Sequence, residues 1–235
     1  MEQSGETYIK LGADIDTSTL NGGFGLGPID WVRVQSDIHL DLNGHKLTLL
    51  KSKMSGDSYS YLIGVLHGSL TIEDTGNGGE IVGLHQVTND RMQLIDVGKG
   101  AKLTLNSGKL RLEVNADSNA PNATIRFKGA VEINGGTITS DADCTIKNRG
   151  GLRMNGGTVA TSNAEGTVID CNGDFGDTQI NGGTIKGGKD GIRLADLGSS
   201  EVTLKNAAFE NNTQSNIHLG AGQKINIKKT FTGTA

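Results

Sequence analysis

Ile133-Asn-Gly-Gly-Thr-Ile138 returns as Met154-Asn-Gly-Gly-Thr-Val159 and again as Ile180-Asn-Gly-Gly-Thr-Ile185. Looser copies lie upstream, at Leu105-Asn-Ser-Gly-Lys-Leu110 and Leu42-Asn-Gly-His-Lys-Leu47. A short run of alternating apolar and polar residues leads into each: Leu40-Asp-Leu42, Leu103-Thr-Leu105, Val131-Glu-Ile133 and Leu152-Arg-Met154. Leu70-Thr-Ile72, Val202-Thr-Leu204 and Ile225-Asn-Ile227 keep the alternation without the Asn-Gly. The last apolar residues of these runs stand at 42, 72, 105, 133, 154, 180, 204 and 227. They mark eight coils of uneven length, the variation falling in loops.

A second column precedes the first within each coil. Ala123-Thr-Ile-Arg-Phe127 aligns with Cys144-Thr-Ile-Lys-Asn148, Thr167-Val-Ile-Asp-Cys171, Asp190-Gly-Ile-Arg-Leu194 and Ser215-Asn-Ile-His-Leu219. Period-two alternation marks half-buried strands, and no helical period is present. Each coil is therefore strand, turn, strand, Asn-Gly turn, strand. The fold expected is all-β: a right-handed, single-stranded parallel β-helix of about eight coils. One coil cannot bury its inner face alone, and stacking at roughly 4.8 Å per coil does so. Residues 1–30 are expected to form a partial N-terminal coil and a glycine-rich loop, and residues 31–235 the β-helix. Asn43, Asn106, Asn134, Asn155 and Asn181 fall at equivalent corners, where stacked amides would make a ladder, best formed from 134 to 181. Thr232-Gly-Thr-Ala235 shows no cap, which suggests part of a longer chain or an oligomer that hides this edge.

Composition agrees with a repeat and excludes other classes. The 235 residues include 36 glycines but only 2 prolines, with no three-residue glycine period, so the chain is not collagen. A net charge of −4 leaves no basic excess for nucleic acid. Apolar runs such as Tyr61–Leu66 are far too short to cross a membrane as a helix. Met1-Glu-Gln-Ser-Gly-Glu6 carries no apolar signal region.

Leu40-Asp-Leu-Asn-Gly-His-Lys-Leu47 resembles an early coil of the pectin-lyase-like right-handed β-helices, and Gly68-Ser-Leu-Thr-Ile-Glu-Asp-Thr-Gly76 the coil after it. The Asn-Gly-Gly-Thr series and Asn216–Ile227 are similar to large surface proteins of Gram-positive gut bacteria. This resemblance implies an extracellular or cell-surface location and an adhesin-like role. It also raises polysaccharide lyase or hydrolase chemistry, since enzymes of that group share the fold; fold alone gives no activity.

Arg126, Lys147, Asp170, Arg193 and His218 take the outward middle position of five successive strands. This strip is a candidate binding face for an acidic sugar. The competing reading is a solvated face on which Asp170 pairs with Lys147 and Arg193. Asp170, Asn172, Asp174 and Asp177 offer oxygen ligands at a spacing that begins like a calcium loop. The glycine and the twelfth position, Asn181, do not fit an EF-hand, so only a looser calcium site is open. No other cofactor is expected. Thr137, Thr158 and Thr184 stack on another face, a threonine array too short and too broken for ice binding. His39 and His45 are expected to be exposed, and none of the five histidines has a metal-site spacing. Cys144 and Cys171 lie in neighbouring coils but about 13 Å apart along the strand. They are too distant for a disulfide, so two buried free thiols are expected. Asn148 falls on an inward position and needs a hydrogen-bond partner. Trp31, Tyr59, Tyr61 and Tyr8 gather near the front, Trp31 as a cover for the core end.

The expected function is a non-catalytic module of a secreted or surface protein that binds glycan or a host protein. The alternatives are a lyase or hydrolase acting on acidic glycans, centred on Asp170, Asp174, Asp177, Lys147 and Arg193, and a phage tail-spike module.

Overall fold

The computed structural model describes residues 5–17, 32–51, 60–86, 91–114, 122–171, 176–194 and 201–228. Asn21–Gly27, Trp31, Tyr59, Asn172, Asp174 and the last residues, which figure in the expectations above, lie outside them. The chain forms a right-handed parallel β-helix of three sheets, of nine, eight and eight strands among the described residues. Sheet A runs from Thr7–Lys10 to Ile225–Ile227, sheet B from Ile15–Asp16 to Ala208–Glu210, and sheet C from Val32–Val34 to Ser215–Leu219. The chain visits A, B and C in turn, so each circuit is one coil and each strand pairs with those about one coil before and after it. Thr7–Lys10 and Ile15–Asp16 are paired into sheets A and B like later strands.

The Asn-Gly-Gly corner explains itself by packing. The second glycines, Gly136, Gly157 and Gly183, have φ of 74°, 78° and 95°, where a side chain is strained. The first glycines have ordinary φ, but the coil beneath leaves them no room. A Cβ on Gly135, Gly156 or Gly182 would fall 2.5, 2.7 and 2.7 Å from the carbonyl oxygens of Asn106, Asn134 and Asn155. One glycine makes the bend and the other lets coils stack. The asparagine between strand and corner then meets its counterpart. Asn134 Nδ2 donates to Asn106 Oδ1 at 3.0 Å, Asn155 to Asn134 at 2.8 Å, and Asn181 to Asn155 at 2.9 Å.

Asn43 does not join this ladder. Leu40, not Leu42, is in register with Ile72 and through it with Leu105, whereas Leu47 is in register with Ile81 and Leu110. At this corner the second coil therefore carries two residues more than the fourth, and the third carries four more. Asn43 takes φ 50° and donates instead to the carbonyl of Leu11 at 3.0 Å.

The extra residues surround Asp41, which is fully buried. Its carboxylate meets Lys10 Nζ at 2.9 Å and accepts from Tyr8 Oη, the Asn43 amide, and the amide and hydroxyl of Thr75. Burial acts to raise its pKa, but these donors outweigh it and hold the carboxyl well below the usual carboxylate range. Asp41 thus fastens the first three coils together.

The core consists of inward columns that run the length of the stack. In sheet C, Ile63, Ile95, Ile125, Ile146, Ile169 and Ile192 stack in register, and all are buried. Asn148 interrupts the neighbouring column between Phe127 and Cys171. Its amide nitrogen donates to Thr178 Oγ1 at 2.8 Å and its oxygen accepts from the Gly150 amide at 3.1 Å, so the buried polar group is satisfied. No described helix is long and apolar enough to cross a membrane.

Candidate binding groove

Sheet C departs from strict alternation, and this builds the site. In Cys144–Asn148, both Thr145 and Ile146 are wholly buried, and Thr145 Oγ1 donates across the interior to the carbonyl of Ala160 at 2.9 Å. Thr124 does the same to Thr139 at 2.7 Å. The residue before the buried pair and the residue after it line the same groove, as Cys144 and Lys147 do, and Thr167 and Asp170.

The groove has a volume of about 440 Å³. The strip expected from the sequence lies in it: Arg126, Lys147, Asp170 and Arg193 are in lateral register on four successive coils and all line the groove. His218 continues the row on the eighth coil but lies beyond the lining, 3.9 Å from Asp190 Oδ1. Upstream the same row continues as Asp96, Gly64 and Arg33. Alignment of Leu94-Ile95-Asp96-Val97 with Thr124-Ile125-Arg126-Phe127 carried the signal for this extension. Arg91 and Arg149 add two more cations to the lining, and Asp143 and Glu165 two carboxylates at the margin.

The charges are arranged in pairs with a cationic step between them. Arg126 Nε stands 3.7 Å from Asp96 Oδ1, and Arg193 Nε donates to Asp170 Oδ1 at 3.0 Å. The hydrogen bond that Arg193 donates to Asp170 raises the Arg193 pKa further, so that guanidinium stays charged. Asp170 itself is 7% exposed. Lys147 lies between the pairs, one coil from Arg126 and one from Asp170.

Both cysteines are buried free thiols. The register places Cys171 opposite Asn148 and Cys144 opposite Thr167, four positions away. Cys171 belongs to the apolar core, whereas Cys144 lies beneath the groove with Thr167. Burial pushes the Cys171 thiol up to about 12 and raises Cys144 as well.

Of the calcium candidates, Asp170 is committed to Arg193, and Asp177 is exposed and accepts from Gln179. Asn172 and Asp174 are not among the described residues. Within those residues no group of three or more His, Cys, Asp or Glu is placed to hold a metal ion. His39 and His45 are half-buried, not exposed. His39 Nε2 lies 3.0 Å from Glu73 and its ring meets Tyr8 edge-on at 5.0 Å, while His45 Nδ1 lies 3.2 Å from Asp14. Thr137, Thr158 and Thr184 stack in register on sheet B and end at Ala208. No protein-family model, curated protein or solved structure matches the chain.

Proposed function

We propose that this chain is a rigid β-helical module of a secreted or cell-surface bacterial protein, and that it holds an anionic polysaccharide in the sheet C groove without cleaving it. The adjacent cations Arg126 and Lys147, at the centre of an elongated groove, carry the reading. A sugar chain suits such a site because the coils repeat its side chains at a regular interval of about 4.8 Å. Arg149 and Arg91 strengthen the attraction for carboxylate or sulfate groups, guanidinium being well matched to both.

The non-catalytic part of the reading rests on Asp170. A general base must reach the proton that it removes. Asp170 is nearly buried and spends one oxygen on Arg193. The other two lining carboxylates, Asp143 and Glu165, are exposed and stand at the margin.

The test is titration with polygalacturonate oligomers at two salt concentrations, with parallel incubations that follow the absorbance of unsaturated products with and without calcium. The expected result is binding that weakens with salt, is lost in Lys147→Glu, and gives no product. Turnover that disappears in Asp170→Ala would replace this reading with a lyase.

A further inference from the structure

Two cations that line the groove have no acid of their own. Arg126 faces Asp96 at 3.7 Å and Arg193 faces Asp170 at 3.0 Å. Lys147 and Arg149 make no ion pair among the described residues. They stand two residues apart, on either side of Asn148, and both line the same groove. Their backbone positions are therefore about 6–7 Å apart across the groove.

Like charges held side by side repel, and the backbone that carries them cannot move to relieve it. Asn148 between them is wholly buried, donating to Thr178 and accepting from the Gly150 amide. The Arg149 amide donates to the Phe127 carbonyl at 3.0 Å. A Cβ on Gly150 would fall 2.0 Å from the carbonyl oxygen of Gly129, so the bend after Arg149 is pressed onto the coil beneath. The two cations are thus set in place before any ligand arrives, which lowers the ordering cost of binding. Asp143, exposed and four residues before Lys147, holds the opposite margin of the groove, and Glu165 holds it one coil later. Arg91 stands two coils, about 10 Å, upstream of Asp143. Across the fifth coil the groove therefore reads acid, cation, cation.

We infer that Lys147 and Arg149 form a subsite for one sugar ring that carries two anionic groups, so that the ligand is a sulfated uronate polysaccharide. This rests on the anionic-polysaccharide reading above and narrows it. A ring with a single carboxylate answers one of the two cations and leaves the other unmatched. Two charges split between successive rings, one coil apart, bring the second group to Arg126, whose guanidinium already faces Asp96, or to Asp170 itself. Two charges on opposite edges of one ring meet the two unmatched cations and turn away from Asp143.

The test compares two trisaccharides of equal charge by calorimetric titration. Both are a uronate flanked by N-acetylhexosamines; one carries its single sulfate on the uronate, the other on a neighbouring hexosamine. The probe with both charges on one ring is expected to bind at least tenfold more tightly. Arg149→Gln is expected to weaken that probe about tenfold and the split-charge probe by no more than about twofold. Arg149 is exposed, so the Tm of this variant is expected to be unchanged, which separates lost binding from lost fold. Equal or tighter binding of the split-charge probe, no binding of either, or an unchanged affinity for the doubly charged ring in Arg149→Gln overturns the subsite. The polygalacturonate titration decides the wider reading separately: binding that Lys147→Glu abolishes leaves that reading standing without the subsite, and the absence of such binding removes both.

Discussion

Arg193 Nε stands 3.0 Å from Asp170 Oδ1 on the adjoining strand, and this contact governs the one acid in the middle of the groove. The carboxylate is nearly buried and the guanidinium half-exposed, so the pair presents its cationic side to an incoming ligand. The carboxylate end of the pair is buried, so removing its partner would cost more than breaking an exposed surface pair.

Asp170→Asn keeps the side-chain shape while removing the charge that holds Arg193. An anionic polysaccharide should bind several-fold more tightly at low salt, with a steeper loss of affinity as salt rises, since an added exposed cation is screened. Titrations at two ionic strengths check this. Weaker binding in Asp170→Asn would show that the carboxylate itself contacts the ligand.

Acid should loosen the first coils before the rest. The Asp41 carboxyl titrates below its value in the unfolded chain, so between the two values the unfolded state binds more protons and stability rises with pH. Its contribution is complete above about pH 4, near the ordinary carboxylate value, and is lost as pH falls towards the depressed value. Asp41→Asn should lower Tm at pH 6 and flatten the dependence of Tm on pH between 2 and 4. Thermal melts across that range measure both effects.

The ladder and the glycine beneath it should differ in cost. Asn155→Ala removes two donor contacts, to Asn134 and Glu132, and one acceptor contact from an exposed row, a loss of about 1–2 kcal/mol. Gly156→Ala drives a methyl group towards the Asn134 carbonyl, where coils cannot separate locally, and should cost about 1–3 kcal/mol. Urea denaturation of both variants gives the order.

Neither thiol should react with an alkylating reagent in the folded protein, and both should react once it is unfolded. Cys144 and Cys171 are buried, and burial holds both in the thiol form. Mass spectrometry of labelled protein counts them, and an oxidised, bridged species would contradict the sheet C register.

The row from Arg126 to His218 and the ladder from Asn106 to Asn181 were legible in the sequence because both depend on local rules. Alternation fixes which residue of a strand faces outward, and Asn-Gly-Gly fixes where a coil turns. Once those are known, parallel stacking brings like positions together. The exception at Asn43 shows the limit. Its motif is the same, but the register of its strand was decided by Asp41, whose partners Tyr8 and Thr75 lie 33 and 34 residues away.

The sequence by itself determined the repeat, the three strands per coil, the sheet C register and the separation of the two thiols, since each follows from periodicity and chain geometry. Only the tertiary structure decided that Thr145 and Ile146 are both buried and that Cys144 lies beneath the groove rather than in the apolar core. It also decided that Asp170 belongs to Arg193, and that Lys147 and Arg149 line the groove with no acid of their own among the described residues. These depend on distances of a few tenths of an ångström between side chains on different coils, which no pattern of residue types encodes.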